Sequence, residues 1–270
     1  MPIAELKNIN IYYDIYGEGE PLVLIAGLGS DSVSWFNVID DLSQNFKLIV
    51  FDNRGCGRSD YPTYDFTIED MAKDTIGLLD YLKIDRADIL GHSMGGYIAQ
   101  EIAIKNPERV KNLILIGTAA YTNSRNKKLF TEFSSILKSE GYSEEWFKSF
   151  AEWLFTDEVQ SDTSFIDLFV SNAMKYPYLQ KPKGFELQVN ALNSFDSRSQ
   201  LPLIKAKTLI LSGREDILIT TEDSLFLSEK ITNSTLQFLN NIAHSIQVEN
   251  PKAFSEAVLE FQKINKTEKT

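Results

Sequence analysis

The sequence predicts an α/β fold: a mostly parallel central sheet with helices on both faces and a helical cap inserted between two strands. Three observations carry this. Short continuous apolar runs recur, as strands buried on both faces require. Stretches with helical spacing stand between them. The alternation lapses between roughly 120 and 200, then resumes. The division that follows is a core of residues 1–119 and 202–270 and a cap, or lid, of residues 120–201.

In chain order, "IAELKNINIYYDIYG" reads as two strands meeting at a Lys7-Asn8 turn, and "PLVLIAG" (21–27) as a buried strand. In "SWFNVIDDLSQ" (34–44), Trp35, Val38, Ile39 and Leu42 share one helical stripe. "FKLIVFD" (46–52) is a further strand. The helix over 67–84 opens on Thr67 and Asp70, a capping box with Asp in place of Glu. Then come the strand "ADIL", a glycine-rich turn, the helix "GGYIAQEIAIKN" stopped by Pro107, and the strand "VKNLILIG" (110–117). The lapse is helical and aromatic. "SEEWFKSFAEWLF" puts Trp146, Phe147, Phe150, Trp153 and Leu154 on one stripe behind Ser143 as N-cap, and "TSFIDLFVSNAMKYP" and "GFELQVNALNSF" read as two more helices. So long an insertion cannot be a structureless loop. The strand "AKTLILSG" (206–213), a helix near 221–230, the strand "STLQFL" and a last helix from about 249 complete the chain.

Composition narrows the function. A net charge of −11 repels phosphate backbones and anionic lipid, so no nucleic-acid or membrane partner is expected. No apolar run reaches the roughly 20 residues of a membrane helix, and "MPIAELKNIN" lacks the features of a secretory signal, so the expected location is cytoplasmic. Two histidines and one cysteine, Cys56, cannot build a zinc-type cluster, and no G-x-G-x-x-G follows the first buried strand; no cofactor is expected. Arg54 and Arg58 could lower the Cys56 thiol pKa, but the plainer reading is a free thiol in a loop.

Gly91-His92-Ser93-Met94-Gly95 fits G-x-S-x-G, a pattern that is weak alone. Its place between a strand and a helix gives it weight. There the flanking glycines let the backbone turn sharply and leave Ser93 projecting above the sheet as a nucleophile. A serine hydroxyl needs a general base, normally a histidine held by a carboxylate. His92 adjoins Ser93 and is read as structural, bonding into the underside of the sheet. That leaves His244, in "NNIAHSIQVENP" after the last strand. The acid follows the strand "TLILSGRED": Asp216 is favoured because "ILI" follows it directly, with Glu215 as the alternative. The order Ser93, Asp216, His244 is then set along the chain. For an oxyanion hole the backbone N–H groups of Met94 and Leu28 are expected, with Gly29 as an alternative donor and the side chains of Met94 and Leu28 bordering the pocket. Trp146, Phe147, Phe150, Trp153 and Phe155 would roof an apolar substrate pocket or simply pack the cap onto the sheet. Arg125 and Arg198 flank the cap; each could meet a substrate carboxylate, though a solvated role is the simpler reading.

Together these residues resemble the α/β-hydrolase superfamily over nearly the whole chain outside the cap. "FDNRGCGRSD" (51–60) is similar to that family's D-x-R-G-x-G-x-S stretch, "GHSMGG" to its nucleophile elbow, "SGRED" to its acid loop and "AHSIQVENP" to its histidine loop. The likeness is greatest to small carboxylesterases, 3-oxoadipate enol-lactonase-like members and pimeloyl-carrier-protein methyl esterases. It implies an α/β-hydrolase fold and structural roles for Asp52 and Arg54. The family usually has His-Gly at the oxyanion loop where this chain has Ala26-Gly27. The leading expectation is a serine hydrolase cleaving a carboxylic ester or lactone with an apolar acyl part. The alternatives are C–C cleavage of a diketone-like ring-fission product by the same triad, and a small-molecule receptor that retains the fold.

Overall fold

In the computed structural model, residues 2–267 are described, with side chains to residue 263; Met1 and 268–270, the extreme ends of the predicted core, lie outside them. Eight strands form one sheet: β1 (Ile3–Glu5), β2 (Asn10–Tyr16), β3 (Glu20–Ile25), β4 (Phe46–Phe51), β5 (Ala87–His92), β6 (Val110–Ile116), β7 (Lys207–Gly213) and β8 (Ser234–Leu239). Their spatial order is β1-β2-β4-β3-β5-β6-β7-β8, antiparallel through β1, β2 and β4 and parallel from β4 onward.

The parallel strands are apolar throughout because both faces are covered. Alternate residues point to opposite sides. Leu22, Leu24, Leu48 and Val50 face a core shared with α1 (Phe36–Ser43) and α11 (Pro251–Thr267), where Trp35, Val38, Leu42 and Phe254 are fully buried. Val23, Ile25, Ile49 and Phe51 face the other core, shared with α2 (Ile68–Tyr81) and α3 (Met94–Lys105). The Thr67–Asp70 capping box forms as read, with both reciprocal bonds. Arg54 makes a bidentate ion pair to Asp74 of α2, both nearly buried, which fits a structural role.

Between β6 and β7 the chain runs through α4 (Ser124–Glu140), α5 (Glu144–Ala151), α6 (Asp157–Ser161), α7 (Thr163–Lys175) and α8 (Pro182–Ser194). It leaves and returns side by side: Tyr121 and Asp196 form an antiparallel bridge, and the Ser197 N–H donates to the Ala120 carbonyl at 2.9 Å. Ser143 caps α5 as expected. Helix α5 ends at Ala151, however, so Trp153 and Leu154 sit in the following turn and not on the predicted stripe. Helix α4 is an element the sequence pattern does not predict. Its buried Phe130, Phe133 and Leu137 have helical spacing, but Ser, Thr and Lys at the intervening positions dilute the stripe. Beyond β8, α9 (Thr221–Lys230) having preceded it, a single turn α10 (Ile246–Glu249) comes before α11. Among the described residues no helix is long and apolar enough to cross a membrane.

Candidate active site

Ser93 lies between β5 and α3 with φ 55° and ψ −119°, a conformation that side-chain-bearing residues rarely adopt. The glycines around it are demanded by space. A Cβ on Gly91 would collide with the carbonyl of Gly95, and one on Gly95 with the carbonyl of Ile25 in β3. The turn is pinned on both sides: the Ser93 N–H donates to the Ile116 carbonyl at 2.9 Å, and the Thr118 hydroxyl donates to the Ser93 carbonyl at 2.8 Å.

His244 follows β8 and is buried, with its Nδ1 2.8 Å from Asp216 Oδ2. Asp216 follows β7. Its other oxygen, Oδ1, accepts the N–H groups of Leu218 and Ile219, both at 2.8 Å. A carboxylate that already accepts two N–H groups acts as the acceptor for Nδ1, so Nδ1 carries a proton and, in the neutral ring, Nε2 holds the lone pair. Gly117 closes the floor under this pair: a Cβ there would stand 3.4 Å from His244 Nδ1 and 3.6 Å from Asp216 Oδ2. Glu215 makes no such contact among the described residues; its N–H donates to the Ile242 carbonyl. The loop carrying Asp216 is held from α4, where Arg125 Nη2 donates to the carbonyls of Ile217 and Leu218 at 2.6 and 3.0 Å. Arg125 is thus occupied, and Arg198 pairs with Asp196; neither borders the cavity described below.

His92 departs from expectation. It does not reach the underside of the sheet. Its Nε2 donates to the His244 carbonyl at 3.0 Å, and its ring lies 4.8 Å from the His244 ring. Burial, with the neighbouring His244 adding to it, pushes its pKa down to about 3, so it stays neutral. Since Nε2 bears the proton, Nδ1 is an acceptor, and Gln247 Nε2 approaches it at 3.5 Å. Histidine chemistry could not have told these two rings apart; their packing does.

Ser93, His92 and His244 line one cavity of about 370 Å³. Leu28 and Gly29, on the loop after β3, line it too, and a Cβ on Gly27 would stand 3.2 Å from the Ser93 Cβ. Among the described residues no acceptor takes the Leu28 or Met94 N–H, the latter lying in the first turn of α3 where no intrahelical acceptor exists. The Met94 side chain is fully buried and, contrary to expectation, does not border the cavity. Trp146, Phe147 and Phe150 do line it; Trp153 does not, its ring facing the Arg125 guanidinium at 5.7 Å. Phe155, expected in the same aromatic roof, lines it as well, together with Leu154 and Phe169.

Part of the lining is polar. Asp31, 4% exposed, has Oδ1 accepting the Val33 N–H at 2.9 Å and Oδ2 accepting the Tyr176 hydroxyl at 2.7 Å. Burial first, then the nearby Asp52, raises its pKa to about 6. Cys56 lines the cavity too. Burial drives its thiol pKa well up, with Asp31 and Asp52 adding to it, so the two arginines do not activate it. Asp52 is instead spent on Arg58, at 2.8 Å. No motif in the sequence singles out Asp31, Tyr176 or Gln180; the last two lie in the segment between α7 and α8. No Lys or Arg lines the cavity among the described residues.

A family model described as the α/β hydrolase fold matches residues 20–251. The chain is 27% identical over 261 residues to a protein of Azorhizobium caulinodans named "Putative carbamate hydrolase RutD", covering 97% of this chain and 98% of that one. It is 27% identical to 3-oxoadipate enol-lactonase 2 of Acinetobacter baylyi, over 96% of this chain and 97% of the relative. The crystal structure of the enol-lactonase from Burkholderia xenovorans LB400 superposes with a TM-score of 0.89 at 26% identity, covering 97% of this chain and all of that one (100%).

Proposed function

The chain belongs to the α/β-hydrolase fold family, and on that premise we propose that it is a serine hydrolase that cleaves a carboxylic ester or lactone through an acyl-enzyme. The observation that carries this reading is the 2.8 Å bond between His244 Nδ1 and Asp216 Oδ2, beside a serine held at positive φ on a strand-to-helix corner of the same cavity.

In this reading His244 Nε2 removes the Ser93 proton as Oγ attacks the carbonyl carbon. The Leu28 and Met94 N–H groups receive the developing oxyanion. The imidazolium, stabilised by Asp216, protonates the leaving oxygen. A water deprotonated by His244 then attacks the acyl-enzyme and releases the acid, restoring Ser93. His92 cannot compete as base, since it is neutral with its Nδ1 turned to Gln247.

Residues 120–201 act as a cap over the core of 1–119 and 202–270. Supporting this are bonds from the inserted segment to core loops: Ser245 N–H to the Leu154 carbonyl, Gln188 Nε2 to the Arg54 carbonyl, and Tyr176 to Asp31. The aromatic lining suits an apolar acyl group. The relatives' named substrates, a carbamate and an oxoadipate lactone, share a carbonyl bearing a heteroatom leaving group. An oxoadipate also carries a carboxylate, and a cavity wall with a buried acid and no cation disfavours one. The substrate proposed is therefore neutral.

The test is turnover of p-nitrophenyl butyrate by wild type and Ser93→Ala. The variant is expected to lose it, along with fluorophosphonate labelling; equal rates would refute the proposal. Cleavage of a vinylogous diketone without any ester turnover would move the reading to C–C hydrolysis. Ligand binding with neither activity nor labelling would move it to a receptor.

A further inference from the structure

Two side-chain oxygens at the cavity have no hydrogen-bond partner among the described residues although they are buried: Gln180 Oε1 and Gln247 Oε1. Both residues are about 98% or 97% buried, at 2% and 3% exposure. Leaving an acceptor buried and unpaired is costly, and native interiors seldom do it without a use for it.

Neither amide can turn to relieve this. Gln180 Nε2 donates to the Gly55 carbonyl at 2.7 Å, and a carbonyl accepts only a donor. Gln247 Nε2 faces His92 Nδ1, which is bare because His92 Nε2 bonds the His244 carbonyl. In both cases the oxygen is the atom left over.

Gln180 Oε1 lies close to the proposed chemistry. It is 4.0 Å from the position a Cβ on Gly29 would take, and Gly29 follows Leu28, the proposed oxyanion donor. Gly27, two residues away and so at most about 7.6 Å distant along the chain, packs against Ser93. Gln247 is linked to the same loop through His92, whose Nδ1 stands 3.4 Å from the Gly27 Cβ position. The Asp31 carboxylate makes this wall more negative still.

We propose that these acceptors recognise an N–H group on the acyl side of the scissile carbonyl, so that the enzyme's substrates are neutral esters or lactones bearing an acylamino or carbamoyl N–H, with Gln180 as the specificity-determining residue. This rests on the serine-hydrolase reading above. An N–H donor satisfies Gln180 Oε1, whereas a substrate without one leaves the oxygen unpaired, and that difference is where a site of this kind gains its selectivity.

The experiment compares kcat/KM for three substrates sharing one alcohol and one chain length: an α-acylamino ester, its N-methyl analogue, and the analogue with CH2 in place of N–H. Wild type is expected to prefer the first over the CH2 analogue by about tenfold to hundredfold. In Gln180→Met, which keeps side-chain volume and removes the acceptor, the absolute rates fall through altered packing, and the ratio is expected to drop below about threefold. A merely structural role for Gln180 would lower all three rates together and keep the ratio. Equal wild-type rates on the N–H and CH2 substrates would overturn the inference while leaving the hydrolase reading intact. Absence of turnover on all three and on p-nitrophenyl butyrate would overturn both.

Discussion

Replacing Asp216 with Asn changes one atom and inverts the proton logic of the site. Asp216 Oδ1 accepts two N–H groups, from Leu218 and Ile219, and Oδ2 accepts one from His244 Nδ1. An Asn has one oxygen to place. Set toward the loop, it keeps both backbone bonds and turns its NH2 to His244. Set toward His244, it aims NH2 at two N–H donors and leaves both unpaired in a buried site, at about 1–3 kcal/mol each. The first arrangement is favoured by about 2–6 kcal/mol. His244 Nδ1 must then accept, its proton moves to Nε2, and the ring offers a donor where the proposed mechanism requires a base for Ser93. The expected loss is about 10,000-fold in kcat, or about 5 kcal/mol of transition-state stabilisation, with KM nearly unchanged. Steady-state hydrolysis of p-nitrophenyl butyrate measures the loss, and urea unfolding checks that the isosteric variant stays folded. A kcat within tenfold of wild type would refute the reasoning, because His244 would then not depend on Asp216 for its tautomer.

Three further outcomes are expected. Gly95→Ala places a Cβ inside the Ile25 carbonyl, which strand pairing holds in place; soluble yield and melting temperature should fall sharply, and a variant as stable as wild type would contradict the packing of the corner. Asp31 has a folded pKa raised from 3.8 to about 6, so the folded chain holds a proton the unfolded chain has released between those values, and the stability this contributes is lost as pH rises through 6. Asp31→Asn should accordingly gain up to about 3 kcal/mol over wild type at pH 8, an advantage that disappears by pH 4 in urea titrations; a pH-independent difference counts against the assignment. A methyl ester ending in a free carboxylate should be turned over at least about tenfold less efficiently than its uncharged homologue, given a wall that offers Asp31 and no cation; equal kcat/KM would remove the argument for neutral substrates.

The amino-acid sequence by itself determined the periodic parts of this protein. The strands around "PLVLIAG" and "VKNLILIG", the Thr67 cap and the Ser143 cap follow from local rules of burial period and backbone satisfaction, which act over a few residues. The glycine pattern about Ser93 was legible for the same reason, since a Cβ clash is a local matter. With only two histidines present and His92 adjoining the serine, His244 was the candidate base already in the sequence. What the tertiary structure decided is long-range. Which oxygen of Asp216 faces His244 depends on loop N–H groups bonded from a different direction, and the role of His92 depends on a carbonyl 152 residues away. The polar wall joins Asp31 after β3 to Tyr176 and Gln180 of the inserted segment, 145 residues on in the case of Tyr176. No spacing rule spans such distances, because the contact exists only once the sheet and the helices above it have packed. The same packing moves Trp153 aside, where helix α5 stops short.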